Sequence, residues 1–331
     1  MSDDKSLELA IAQLERQFGA GAVMRLGSKD IKAWPAVSTG ALSLDMILGI
    51  GGLPLGRVVE IYGPESSGKS TISLSVVAQA QKMGLKCAYI DAEHALDPVY
   101  MDALGINLDD LLLAQPDYGE QALEIADRLI RTGEVNVVVI DSVAALVPKA
   151  ELEGDMEANQ MGLQARMMAK GLRKIVGLAN EHKCLVIFIN QLRSKIGIMF
   201  GNPETTPGGK ALPYAASVRI DVRRKEDIKD KAGESIGIKV KAKIIKNKMA
   251  PPLKVTEFDI YYGKGVDNYG CLLDVCMSKG IFSQRGAWVY YNGESFSQGR
   301  DNAIDKIKAD PELVSTLEGL IKDGVQADPL S

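Results

Sequence analysis

A chain of 331 residues can bury one large core and leave a smaller module beside it. Hydrophobic residues are 46% and charged residues 25% of the sequence, and 39 basic against 43 acidic side chains leave a net charge of -4. That balance excludes a wholly basic nucleic-acid binder, so any DNA site must be local, built from clustered Lys and Arg.

The N-terminus, Met1 to Lys5, has no apolar stretch of signal-peptide type, and no uninterrupted apolar run would span a bilayer. A cytoplasmic protein without a membrane partner is expected. Leu7, Ile11, Leu14 and Phe18 then recur at helical spacing until Gly19, and a strand-like stretch covers 23–26. This arm, residues 1–32, has too little core to fold alone. It packs either on its own domain or on a neighbouring chain.

From about residue 37 the apolar runs read as buried strands at 58–62, 87–91, 135–141 and 184–190, separated by helical stretches such as 71–83 and 121–131. Strands alternating with helices predict an α/β fold with a mostly parallel central sheet flanked by helices on both faces. Runs at 217–222, 236–245 and 255–261 lack intervening helices, so the sheet is expected to end in an antiparallel meander. The central domain spans 33–266. Beyond it, short segments and two helical stretches, the second opened by Asp310-Pro311, predict a small α+β C-terminal domain over 267–331. Cys87, Cys184, Cys271 and Cys276 lack zinc or redox spacing and read as reduced core thiols, while two histidines are too few for a His-based metal centre.

Gly63-Pro64-Glu65-Ser66-Ser67-Gly68-Lys69-Ser70 matches the phosphate-binding pattern G-x-x-x-x-G-K-S/T, and it lies between a strand and a helix opening at Thr71. Glycines let the backbone curl its N–H groups toward phosphate oxygens, and the helix N-terminus adds favourable partial charge. Lys69 reaches the outer phosphates of ATP and the Ser70 hydroxyl suits Mg2+. Asp141 ends the apolar run 137–140, at the sheet edge where a metal would lie. Glu93 follows the strand 87–91 and emerges at the same edge, which makes it the candidate base; His94 beside it reads as structural. Gln191 closes the strand 184–190 and suits sensing of the γ-phosphate.

Gln191 leads into 192–209, a long Gly- and Pro-rich stretch without clear period, the kind usually kept for function. It carries Arg193, Lys195 and Lys210 for phosphates, flexible Gly208 and Gly209, and apolar Ile196, Ile198, Met199 and Phe200 suited to stacking on or wedging between bases. A second loop, 153–162 with Met161 near its end, precedes a helix over 163–180. On that helix Arg166, Lys170, Arg173 and Lys174 share one face, opposite a stripe of Met168, Leu172, Ile175 and Ala179. A basic face is often only solvated; its pairing with the loop beyond Gln191 favours DNA. Lys239, Lys241 and Lys243 alternate along a strand, followed by Lys246 and Lys248. Either they block aggregation at a sheet edge, or Lys246 and Lys248 reach an ATP held by an adjacent protomer.

With these strings together, the sequence resembles the RecA recombinase family over nearly its whole length. The resemblance rests on GPESSGKS from Gly63, IDAEHALDP from Ile90, VIDSVAAL from Val139, FINQLRSKIGIMFGNPETT from Phe188 and IKNK from Ile245. It implies ATP and Mg2+ as cofactors, and ATP sandwiched between protomers of a helical filament in which the N-terminal arm docks on the neighbour. It implies single-stranded DNA and homologous duplex DNA as partners, with activation of SOS repressor self-cleavage. It makes Glu93 the catalytic glutamate, Gln191 the switch, Lys246 and Lys248 the trans-acting pair, and 153–162 and 192–209 the DNA loops. Asp97 and Tyr100 would flank adenine, with Tyr262 and Gly263. Ring helicases and kinases share such a core, but not the string from Phe188. Three departures stand out: Ser70 where threonine is commoner, Leu212-Pro213-Tyr214-Ala215 at a segment used between subunits, and an end at Ser331 without an acidic tail. The first preserves the hydroxyl, the second implies altered filament cooperativity, and the third implies easier access for duplex DNA.

Overall fold

A computed structural model describes residues 3–19, 22–23, 34–154, 162–194 and 204–326. The chain forms two compact units, Met1–Trp34 and Pro35–Ser331. In the first, helix α1 (Asp3–Phe18) follows the predicted periodicity and leaves Leu7, Leu14 and Phe18 exposed. Of the strand-like stretch after it, 24–26 lie outside the described residues.

The second unit is built on a sheet of nine strands among the described residues: β1 (Val58–Gly63), β2 (Cys87–Asp91), β3 (Leu111–Ala114), β4 (Val137–Asp141), β5 (Leu185–Gln191), β6 (Val218–Lys229), β7 (Ser235–Asn247), β8 (Val255–Tyr261) and β9 (Gly265–Val266). Their order is β9-β8-β7-β6-β1-β5-β4-β2-β3, parallel from β6 to β3 and antiparallel from β6 to β9. The meander therefore attaches beside β1, in the middle of the sheet order. The lysine-bearing β7 is paired on both sides, so the edge-protection reading of its lysines falls.

Both faces are covered. Val59, Ile61, Tyr89, Val139 and Ile187 pack against helix α2 (Lys69–Lys82), while Val58, Ala88, Ile90, Val138 and Phe188 meet α3 (Gly119–Arg131) and α4 (Leu163–His182). Alternate side chains thus serve opposite layers, the condition under which a parallel strand reads as a continuous apolar run. Met168, Leu172, Ile175 and Ala179 form the predicted buried stripe of α4. All four cysteines are free and buried, and burial pushes the Cys87 thiol up to about 12.

The C-terminal part has its own apolar cluster around Leu272, Phe282, Ile307 and Leu317, and a three-stranded antiparallel sheet covering 282–298. Three helices occur there, α5 (Asn268–Ser278), α6 (Arg300–Ala309) and α7 (Pro311–Gln326), one more than periodicity indicated. Asp310 divides the last two: the residue before a proline is driven to extended backbone, and its Oδ1 then accepts from the Leu313 N–H at 3.0 Å.

Candidate nucleotide and DNA site

β1 is buried along its whole length and delivers the chain into the turn at Pro64. A Cβ on Gly63 would sit 1.9 Å from the Val222 carbonyl oxygen, and Gly68 has φ +94 with a Cβ position 2.7 Å from Ile260. Close approach to backbone requires glycine at position 63, and left-handed backbone favours it at position 68. α2 opens at Lys69, two residues earlier than the apolar period showed, because polar Lys69 and Ser70 add nothing to that period.

Lys69 is 8% exposed and its Nζ donates to the Pro64 carbonyl at 2.6 Å. Burial lowers its pKa, against the pull of Asp141, Glu93 and Glu65. A desolvated ammonium at the N-terminus of a helix favours an incoming polyanion. Ser70 Oγ and Tyr89 Oη each donate to Asp141 Oδ2 at 2.8 Å. Burial raises the Asp141 pKa and these two hydrogen bonds oppose the rise. The hydroxyl and carboxylate are hard oxygen donors, few in number, which fits Mg2+ held jointly with phosphates and water. No cluster of three or more His, Cys, Asp or Glu residues suited to a metal occurs among the described residues.

Glu93 stands just beyond β2. Its Oε1 accepts from Ser142 Oγ and, at 3.1 Å, from Gln191 Nε2. The ends of β2, β4 and β5 thus converge on one carboxylate oxygen. Asp91, by contrast, is occupied by the amides of Ala95 and Leu96 and by Gln115. Tyr100 Oη lies 3.1 Å from Thr71 Oγ1, and Asp97 caps the helix Pro98–Ala103 by accepting from the Val99 N–H. Exposed Tyr262 and Gly263 (φ +70) lie on the turn after β8, whose Ile260 closes over Gly68.

Lys246 pairs in register with Arg219, itself level with Glu60, while the Lys248 N–H bonds to Ser217, whose N–H bonds to Val58. Both lysines therefore lie toward the start of β1. The cradle begins at Gly63, three residues beyond Glu60 and five beyond Val58, about 10 and 16 Å along the strand. Lys246 Nζ donates to the carbonyls of Pro213 and Tyr214 at 2.8 and 2.9 Å. Neither lysine is placed at its own chain's cradle.

On α4 the side chains of Arg166, Lys170, Arg173 and Lys174 are exposed along one face. Beyond Gln191, Arg193–Ser194 pairs with Glu204–Thr205, so the stretch without period is rooted in a short ladder. Arg193 and Lys210 are exposed; Gly208 (φ +83) and Gly209 (φ +74) take left-handed backbone. Met161, Lys195, Ile196, Ile198, Met199 and Phe200 lie outside the described residues.

The RecA N-terminal domain family matches residues 5–267, and the RecA C-terminal domain family matches residues 270–326. The chain belongs to the RecA family. Protein RecA of Teredinibacter turnerae is 55% identical over 319 residues, 96% of this chain and 93% of the relative. Protein RecA of Pseudomonas fluorescens is 56% identical over 319 residues (96% and 90%), and that of Mannheimia haemolytica 56% over 326 residues (98% and 88%). Membership of the RecA family places the chain among proteins of DNA recombination and repair. Among the described residues no helix is long and apolar enough to cross a membrane.

Sequence reasoning missed Tyr89, Ser142, Glu60, Asn190 and Gln164. Tyr89 is indistinguishable from core in an apolar strand. Glu60 and Asn190 did carry a signal, each a polar residue inside a buried run. Glu60 is fully buried, receiving Arg219 Nε and, at 3.0 Å, Asn190 Nδ2.

Proposed function

We propose that the chain is a single-stranded-DNA-dependent ATPase. It assembles as a helical filament of identical subunits on single-stranded DNA, pairs that strand with a homologous duplex, and exchanges strands in recombinational repair. One observation carries this reading: Gln191, at the root of the DNA loop, donates to Glu93, the candidate base.

ATP lies along residues 63–71, with Lys69 on its outer phosphates and Asp97, Tyr100, Tyr262 and Gly263 around the base. Ser70 and Asp141 would hold Mg2+, which would supply positive charge to offset that of the phosphates. Glu93 takes a proton from the attacking water as the γ-phosphoryl passes to it, leaving ADP and phosphate. Ser142 and Gln191 both donate to Oε1, which supports Oε2 as the oxygen that takes the proton. Arrival of the γ-phosphate draws Gln191 off Glu93 and shifts the loop it begins. Lys246 and Lys248 serve the ATP of the adjoining subunit.

On the DNA side, Arg166, Arg173, Arg193 and Lys210 contact phosphates, Gly208 and Gly209 let the backbone approach, and Met161, Ile196, Ile198, Met199 and Phe200 meet the bases. The loops are 153–162 and 192–209. The chain divides into an arm (1–32), an ATPase core (33–266) and a C-terminal domain (267–331). The filament also activates SOS repressor self-cleavage, in the cytoplasm.

The test is ATP turnover measured with and without single-stranded DNA. Stimulation on the order of tenfold is expected; equal rates would overturn the reading.

A further inference from the structure

The peptide that closes the candidate DNA loop is gripped from both sides. Pro207 and Gly208 share one peptide plane. Its carbonyl accepts from Asn190 Nδ2 at 3.2 Å, and its N–H donates to Gln164 Oε1 at 3.1 Å.

The two clamping side chains come from different parts of the machinery. Asn190 precedes Gln191 on β5, and its Oδ1 accepts from the Gln191 N–H at 3.0 Å. One amide thus holds both the departure and the return of the segment 192–206. Gln164 is the second residue of α4, two positions beyond Gly162, where the other DNA loop ends. Its Nε2 donates to the carbonyls of Val143 at 2.9 Å and Leu146 at 3.2 Å. Those carbonyls belong to the turn that directly follows Asp141 and Ser142.

Every polar group of the Gln164 side chain is therefore used, its oxygen once and its nitrogen twice. The geometry of the clamped peptide leaves no slack. A Cβ on Gly208 would lie 2.9 Å from Val143 Cγ1, so the peptide rests against the same turn that Gln164 ties down.

From this arrangement we infer that Gln164 and Asn190 are positioning residues that make the two DNA loops and the Asp141–Ser142 segment respond to nucleotide as one body. The inference rests on the reading of both loops as DNA-binding. A displacement of Gln191 is carried by Asn190 to the return end of its loop, and by Gln164 to the base of the other loop.

A purely structural amide would behave differently. Its removal would lower stability and leave the nucleotide response of DNA binding untouched. Gln164→Met keeps the length of the side chain and removes all three hydrogen bonds. Gln164→Glu keeps the acceptor for Gly208 and loses both donations. Single-stranded DNA affinity is measured by fluorescence anisotropy with a slowly hydrolysed ATP analogue and with ADP, alongside nucleotide affinity without DNA and the urea midpoint.

The expected result is a fall of about fivefold in the ratio of the two DNA affinities for Gln164→Met. A smaller fall is expected for Gln164→Glu, with nucleotide affinity unchanged in both. Should Gln164→Met not fold, Gln164→Glu alone must show the reduced ratio. A wild-type ratio preserved in the variants while stability drops would overturn the clamp and spare the function. Equal DNA affinities in wild type with both nucleotides would sink the function reading, and the clamp with it.

Discussion

Gln191 Nε2 and Glu93 Oε1 are 3.1 Å apart, joined by a hydrogen bond that spans the end of β4 between their two strands. Ser142 Oγ donates to the same Oε1, so the residue from which the stretch 192–209 departs shares one carboxylate oxygen with the end of β4.

Glu93→Gln keeps the size of the side chain and removes its basicity. Turnover should fall by about a hundredfold or more, while ATP and DNA binding persist. Steady-state ATPase and anisotropy measured on the same preparation check this. Turnover within a few-fold of wild type would remove Glu93 as the base.

Tyr89→Phe deletes one of the two side-chain donors to Asp141 without changing the packed volume. The loss is worth about 1 kcal/mol. The Mg2+ concentration for half-maximal binding of a fluorescent ATP analogue should shift by about fivefold, because an imperfectly oriented carboxylate holds the cation less well. An unchanged Mg2+ titration would reduce Tyr89 to a core residue.

Lys246 lies away from its own chain's cradle, so under the proposed function it acts on the ATP of a neighbour. Lys246→Ala and Lys69→Ala should each lose most DNA-stimulated turnover. A mixture of the two should recover part of it, since interfaces form that combine an intact cradle with intact lysines. No recovery at any mixing ratio would contradict a trans role.

Asp45 sits in the short buried helix Leu42–Leu48, and burial pushes its carboxyl up to about 7 against hydrogen bonds from Ser38 and Thr39. Its ordinary value is 3.8. Between those values the folded chain keeps a proton that the unfolded chain has released. Stability therefore falls as pH rises through this window and levels off above it. Asp45→Asn abolishes the titration. Its urea stability should improve relative to wild type from pH 5 to pH 8, by roughly 1–3 kcal/mol. Parallel pH curves would show that Asp45 ionises normally.

Much of the site was legible because phosphate chemistry demands particular residues at fixed spacing. Gly63, Gly68, Lys69 and Ser70 stand together in the chain, and a strand and a helix flank them as the pattern requires. Asp141, Glu93 and Gln191 were placed by a simpler rule, that polar residues ending parallel strands gather at one sheet edge. The expected strand Ile236–Ile245 was found as part of β7, yet its neighbours could not be foreseen, and the edge-strand reading failed for that reason.

What the sequence determined by itself, then, was the alternation of elements, the cradle and the residues at its rim, because each depends on local periodicity or a contiguous motif. Tertiary structure alone decided that Tyr89 steadies Asp141, that Glu60 joins Arg219 to Asn190, and that Gln164 meets Gly208 across 44 positions of chain. Such pairs join residues distant in sequence. They form only when strand order and helix packing bring two polar groups into a space that excludes water, and no local pattern encodes that meeting.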